Sequence, residues 1–176
     1  MRRALSPAWW LPLLVLALFL AGEGASWADG HGHKKRKHRA RATPDPIYTQ
    51  ACGQCHMAYP PCLLPEASWR QLMEGRRDHF SENLSLSQAE ALHIQGYLMA
   101  NAADRAGGKR SRKIMDSLGG ATPLRPSQVP YLRHKHRKIG ADTFARPAVG
   151  GMRNCRACHP GAEQGDFDDD RASIPR

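Results

Sequence analysis

The feature that most limits what this chain can become is a five-residue frame that occurs twice. It reads Cys52-Gly53-Gln54-Cys55-His56 early in the body and Cys155-Arg156-Ala157-Cys158-His159 near the end. Cysteines three apart lie on one side of a helical turn, so both sulfurs can bond the two vinyl carbons on one edge of a porphyrin. The histidine directly behind them then stands under the iron. C-x-x-C-H is the attachment signature of a c-type haem, and two complete copies imply two covalently held haems. A four-cysteine zinc site can also be built from C-x-x-C pairs, but it has no need of a histidine after each pair. Thioredoxin-like redox pairs sit in a βαβ pattern, and none surrounds these.

The N-terminus reads as an export signal. Arg2 and Arg3 precede an apolar run over residues 9–21, and Ser26 and Ala28 stand at the −3 and −1 positions of a cleavage site. The run is shorter than the ~20 residues that span a bilayer, so residues 1–28 read as a cleaved signal, which leaves no stable membrane span. Residues 29–46 form a basic leader whose core, HGHKKRKHRARA, offers nothing large and apolar to bury and reads as disordered. Residues 47–176 remain as one domain. Lys and Arg outnumber Asp and Glu by 26 to 16, and haem propionates would offset part of that excess. The aromatic-studded basic face that single-stranded nucleic acid requires is missing, so nucleic acid is not an expected partner.

The body reads as mainly α: short helices and Pro/Gly-rich loops packed around the two haems. No stretch sustains the alternation of β-branched residues that marks strands. Helices are expected over 65–75, with proline at the start and glycine at the end, and over 86–104, where Ser87 and Glu90 make a capping box. Two more are expected over 109–118, stopped by Gly119 and Gly120, and over 130–139. Large apolar residues are few, so the haems themselves must supply core.

Each iron also needs a sixth ligand or keeps an open position. Beyond His56 and His159, the body offers His79, His93, His134 and His136, and no methionine stands out. Residues two apart on a helix point about 200° apart, so a haem can meet only one of His134 and His136. His136 shares the apolar spacing of Val129, Leu132 and Ile139, which favours it. His79 lies in a loop before Phe80, and His93 flanks the long helix; residue chemistry prefers His79 only weakly. Which histidine would serve which haem stays open.

On these residues the chain resembles the dihaem cytochrome c family of small exported bacterial electron carriers. The segments that carry the resemblance are CGQCHMAYPPCLLPEASWRQLMEGRRDHF, NLSLSQAEALHIQGYLMANAAD, PLRPSQVPYLRHKHRKI and NCRACHPGAEQGDFDD, in that order. The resemblance implies haem attachment at Cys52, Cys55, Cys155 and Cys158, with His56 and His159 as proximal ligands and His79 and His136 as distal ones. It also implies a periplasmic carrier that exchanges electrons with other redox proteins, among them a membrane b-type cytochrome and a small oxygen-binding c-type cytochrome. Cys62 departs from the pattern, standing where a small residue such as glycine is expected; it reads as a packed small residue, or as a reactive thiol or a partner in an intermolecular disulfide. The rival functions are a small haem enzyme and a gas or redox sensor, each needing one open iron. The spare histidines can close both sites, which favours electron transfer. The acidic run 166–170 can pair with the surrounding bases or be solvated, and solvation is the preferred reading.

Overall fold

The computed structural model describes residues 43–176; the expected signal and most of the basic leader lie outside the described residues. Among those residues there is no strand, and seven α-helices alternate with short 3₁₀ turns. An isolated bridge between His79 and Glu82 is their one β-type pairing.

Helix α1 (Pro46–Cys52) begins where Asp45 caps it, its carboxylate accepting the Tyr48 N–H at 2.8 Å. An Asp cap followed by proline at the first position is a strong start signal, and such a cap contributes about 1 kcal/mol. Residues 43–46, assigned to the leader on composition, therefore belong to the folded body. Tyr97 donates its hydroxyl to the Thr43 carbonyl at 3.3 Å, and Asp45 pairs with His93 at 2.8 Å. That contact is where His93 is engaged, on the surface.

Helix α2 (Glu66–Glu74) follows Pro65, as its sequence predicts, and buries Trp69 and Met73. The Trp69 indole donates to the Pro61 carbonyl at 2.7 Å, so its one polar atom is satisfied in the core. Helix α3 (Gln88–Ala100) carries the expected capping box at Ser87 and Glu90, and buries Ala91, Ile94 and Leu98 on one face. The helix expected over 86–104 is in fact two. Asn101 closes α3, Ala102 is extended, and α4 (Ala103–Ala106) starts a new direction. The Ala103 N–H goes to the Leu64 carbonyl at 2.9 Å instead of back along α3. Small residues at 102 and 103, both buried, allow that close approach.

Helix α5 (Gly108–Leu118) buries Ser111, Ile114 and Leu118 and stops at Gly119, whose left-handed backbone glycine adopts without strain. Helix α6 (Pro130–Lys135) is shorter than expected, because His136 leaves the helical path and ends it. A last short helix, α7 (Ala141–Ala145), was not foreseen. One apolar cluster joins these elements, from Tyr48 through Leu64, Trp69, Ile94, Leu98 and Ile114 to Val129. Its members come from α1 to the approach to α6; beyond residue 130 the buried apolar residues are Val149 and Ala162.

The turn out of α1 has a tight requirement. Gly53 donates its N–H to the Thr49 carbonyl at 2.9 Å, and a Cβ at this position would lie 2.3 Å from that oxygen. Gly53→Ala is therefore expected to destabilise by about 1–3 kcal/mol, since backbone must shift. Gly96 on α3 has open space around a Cβ. Gly96→Ala should stabilise by roughly 0.5–1 kcal/mol. Denaturant midpoints of the two variants should thus move in opposite directions.

Candidate haem sites

The first frame straddles the end of α1. Cys52 closes the helix half-buried, with burial pushing its thiol up to about 11, while Cys55 is exposed. The chain then turns so that His56 faces back. Its Nδ1 lies 2.7 Å from the Met57 carbonyl; a carbonyl only accepts, so Nδ1 carries a proton and Nε2 is the nitrogen that a metal would use. Such a second-shell bond fixes ring orientation and raises ligand basicity. Opposite it stands His79, from the turn after α2, with the two ring centres 6.2 Å apart and their planes 28° from parallel. Burial holds His79 below the usual imidazole range, helped by the nearby His56 and Arg125 charges, which favours the neutral form that a metal needs.

The second frame is built differently. Cys155–Ala157 is a 3₁₀ turn, and the His159 N–H returns to the Cys155 carbonyl at 2.8 Å. Burial pushes the Cys155 thiol up to about 11 and lowers His159. His136 faces His159 with ring centres 6.1 Å apart and planes 84° apart. The end of α6 positions it: its Nδ1 donates to the Leu132 carbonyl at 2.8 Å, so Nε2 is the nitrogen that a metal would use. His134, two residues earlier, is exposed. Phe167 meets the His159 ring edge-on at 5.5 Å, and Arg110 lies over Phe167 at 5.1 Å. His159 Nδ1 is buried without a hydrogen-bond partner, unlike the Nδ1 atoms of His56 and His136.

These donors fit haem iron. An iron between two imidazoles holds their nitrogens about 4 Å apart, and each ring centre lies about 1 Å further out, giving roughly 6 Å between centres. Both pairs meet that spacing. Each is adjacent to two unpaired cysteines, and Tyr59 ties the two segments together. Its ring centre is 5.2 Å from that of His56, and its hydroxyl donates at 2.7 Å to the Arg153 carbonyl, two residues before Cys155. Nothing in the local pattern around Tyr59 signals a bond to a segment so distant in sequence.

A family model for dihaem cytochrome c matches residues 48–167. The chain belongs to that family. Among solved structures, a diheme cytochrome c from Rhodobacter sphaeroides is 40% identical with a TM-score of 0.64, the alignment covering 73% of this chain and 100% of that one. A second structure, of DHC purified from Rhodobacter sphaeroides, is 39% identical with a TM-score of 0.55, covering 72% and 99%. The diheme cytochrome type c from Shewanella baltica OS155 is 32% identical with a TM-score of 0.62, covering 76% and 95%. No curated protein sequence matches the chain. As a dihaem cytochrome c, the protein carries two c-type haems and is an electron-transfer cytochrome. Among the described residues no helix is long and apolar enough to cross a membrane.

The acidic run of this cytochrome takes up pairing with neighbouring bases, although Asp169 and Asp170 stay exposed. Asp169 pairs with Lys135 at 2.6 Å, and Arg171 pairs with Asp166 and Asp168. The Lys135 bridge ties the stretch after His159 to α6, the helix that positions His136. Both ends of each bridge are partly exposed, so each contributes at most about 1 kcal/mol; their service is to register the two segments.

Proposed function

We propose that this is a periplasmic carrier with two low-potential, bis-histidine haems, relaying electrons between a membrane donor and a soluble cytochrome acceptor. In this reading Cys52 and Cys55 hold the first haem with His56 and His79 as its axial pair. Cys155 and Cys158 hold the second with His136 and His159. The observation that carries the reading is the pairing itself: two imidazoles meet at 6.2 Å beside one C-x-x-C-H frame and at 6.1 Å beside the other.

The haems, when bound, supply reversible one-electron chemistry; the chain decides how that chemistry is used. Thioether bonds keep the groups in place through redox cycling. Neutral imidazoles on both faces hold one geometry in either oxidation state, and two histidines give a lower potential than a histidine with a methionine. Carbonyl bonds from Met57 and Leu132 increase the donor strength of His56 and His136 and push the same way. The basic excess steers acidic redox partners, with a membrane b-type cytochrome as donor and a small oxygen-binding c-type cytochrome as acceptor. That steering should weaken as salt rises.

Carbon monoxide added to the dithionite-reduced protein tests the ligation. An unchanged visible spectrum is expected, because strong ligands close both irons. A shift on either haem would move the protein toward the enzyme or sensor reading.

A further inference from the structure

Two consecutive non-glycine residues, Phe80 and Ser81, have positive φ, 56° and 76°, and they directly follow His79. A bulky side chain in the left-handed region is strained, and it persists only where surrounding contacts over-determine it. Here they do. The His79 N–H donates to the Glu82 carbonyl at 2.7 Å, and the Glu82 N–H returns to the His79 carbonyl at 3.2 Å. Ser81 donates its N–H to the Asp78 carboxylate at 3.2 Å.

The strain brings the Phe80 ring against His79, with centres 4.8 Å apart and an edge-on geometry. Phe80 is 41% exposed and takes no part in the apolar cluster, so core packing does not explain its placement. Arg125, far along the sequence, lays its guanidinium over the Phe80 ring, 3.7 Å from the centre. Arg125 is anchored at the turn before α6, its N–H bonded to the Gln128 side chain at 3.2 Å. The contrast with the second site is informative. His136 has a ring nitrogen bonded to the helix that bears it, whereas His79 sits in a strained turn with Phe80 and Arg125 stacked behind it.

We propose that Phe80 and Arg125 form a latch that holds His79 at the first haem, acting as positioning residues and not as ligands. The inference rests on the reading of His79 as the distal ligand. Cation–π contact keeps the ring in place, the ring keeps the imidazole in place, and without the stack the imidazole can rotate away from the position that the turn alone does not fix. The first haem is thereby the one whose closed state depends on a removable contact, and a small neutral ligand is what its opening would admit.

The test uses holoprotein of the wild type, Arg125→Ala, Phe80→Ala and Arg125→Lys, with loading of two haems verified by mass. Arg125 is exposed, so its replacement leaves the core intact. Reduced wild type is expected to take up no carbon monoxide. Arg125→Ala and Phe80→Ala are expected to bind one per protein, with one of the two reduction potentials raised and the other unchanged. Arg125→Lys, which keeps the cation, should restore most of the closed form. Variants that exclude carbon monoxide and keep both potentials would overturn the latch. Uptake by the wild type would instead overturn the bis-histidine reading, so the two failures are distinct.

Discussion

Replacing both cysteines of the second frame, Cys155→Ala with Cys158→Ala, is expected to leave one haem per chain and to unfold the C-terminal segment while the helical core persists. The asymmetry follows from where the apolar residues are. The buried cluster runs from α1 to the approach to α6; beyond Gly140 only Phe167, partly buried, packs against it, and the buried apolar residues are Val149 and Ala162. Burying a valine yields about 1.5–3 kcal/mol, and the exposed Lys135 and Arg171 bridges add little, so few protein contacts oppose the backbone entropy of the residues after Gly140. A porphyrin gives that segment an apolar face to pack against and is the largest buried group it can acquire. Limited proteolysis read by mass spectrometry should therefore show cleavage confined to residues 141–176 in the double variant and protection of that segment in the wild type. Protection of both would mean that the segment folds without its haem. Cleavage throughout would mean that the core depends on the second haem as well.

Much of this organisation is legible in the sequence because the responsible interactions are local. Ser87 and Glu90 declare the start of α3 within four residues, and Gly119 declares the end of α5 at one. Helical period separates His136 from His134 in the sequence, and in the structure His134 is exposed while His136, just past the end of α6, is half-buried with its ring 6.1 Å from that of His159. What escaped reading depends on contacts between distant segments. The break at Asn101 exists because the Ala103 N–H finds the Leu64 carbonyl, a bond that no window of α3 contains. The pairing of the acidic run is set by Lys135 arriving from α6. Phe80 and Arg125 meet only after folding, and positive φ at a phenylalanine has no compositional signal. The start of α1 is a different case. Asp45 followed by Pro46 is a plain helix-start signal, and the charge of the preceding leader obscured it.

His136→Ala is expected to open the second iron, and His134→Ala to change almost nothing, although the two residues are chemically identical neighbours. The exposed His134 ring can be lost at a cost within about 0.5 kcal/mol, as for most surface substitutions. His136 differs in every respect that bears on ligation. Its ring centre lies 6.1 Å from that of His159, and its Nδ1–H is committed to the Leu132 carbonyl, which points the other nitrogen away from the helix. Alanine there would remove the proposed ligand, and the end of α6 holds His134 where it cannot swing in without unwinding the helix that bears it. The reduced variant should bind one carbon monoxide per protein, and its ferric spectrum should gain a high-spin component from half of the haem. Because the ring planes differ by 28° at one site and 84° at the other, the two low-spin ferric signals should differ, and the one lost identifies the pair that was broken. If His134→Ala opened an iron and His136→Ala did not, the ligand would be the exposed histidine, and the geometry at the end of α6 would have to change on haem binding. Loss of the same signal in His136→Ala and His159→Ala would tie the two imidazoles to one iron; loss of different signals would separate them.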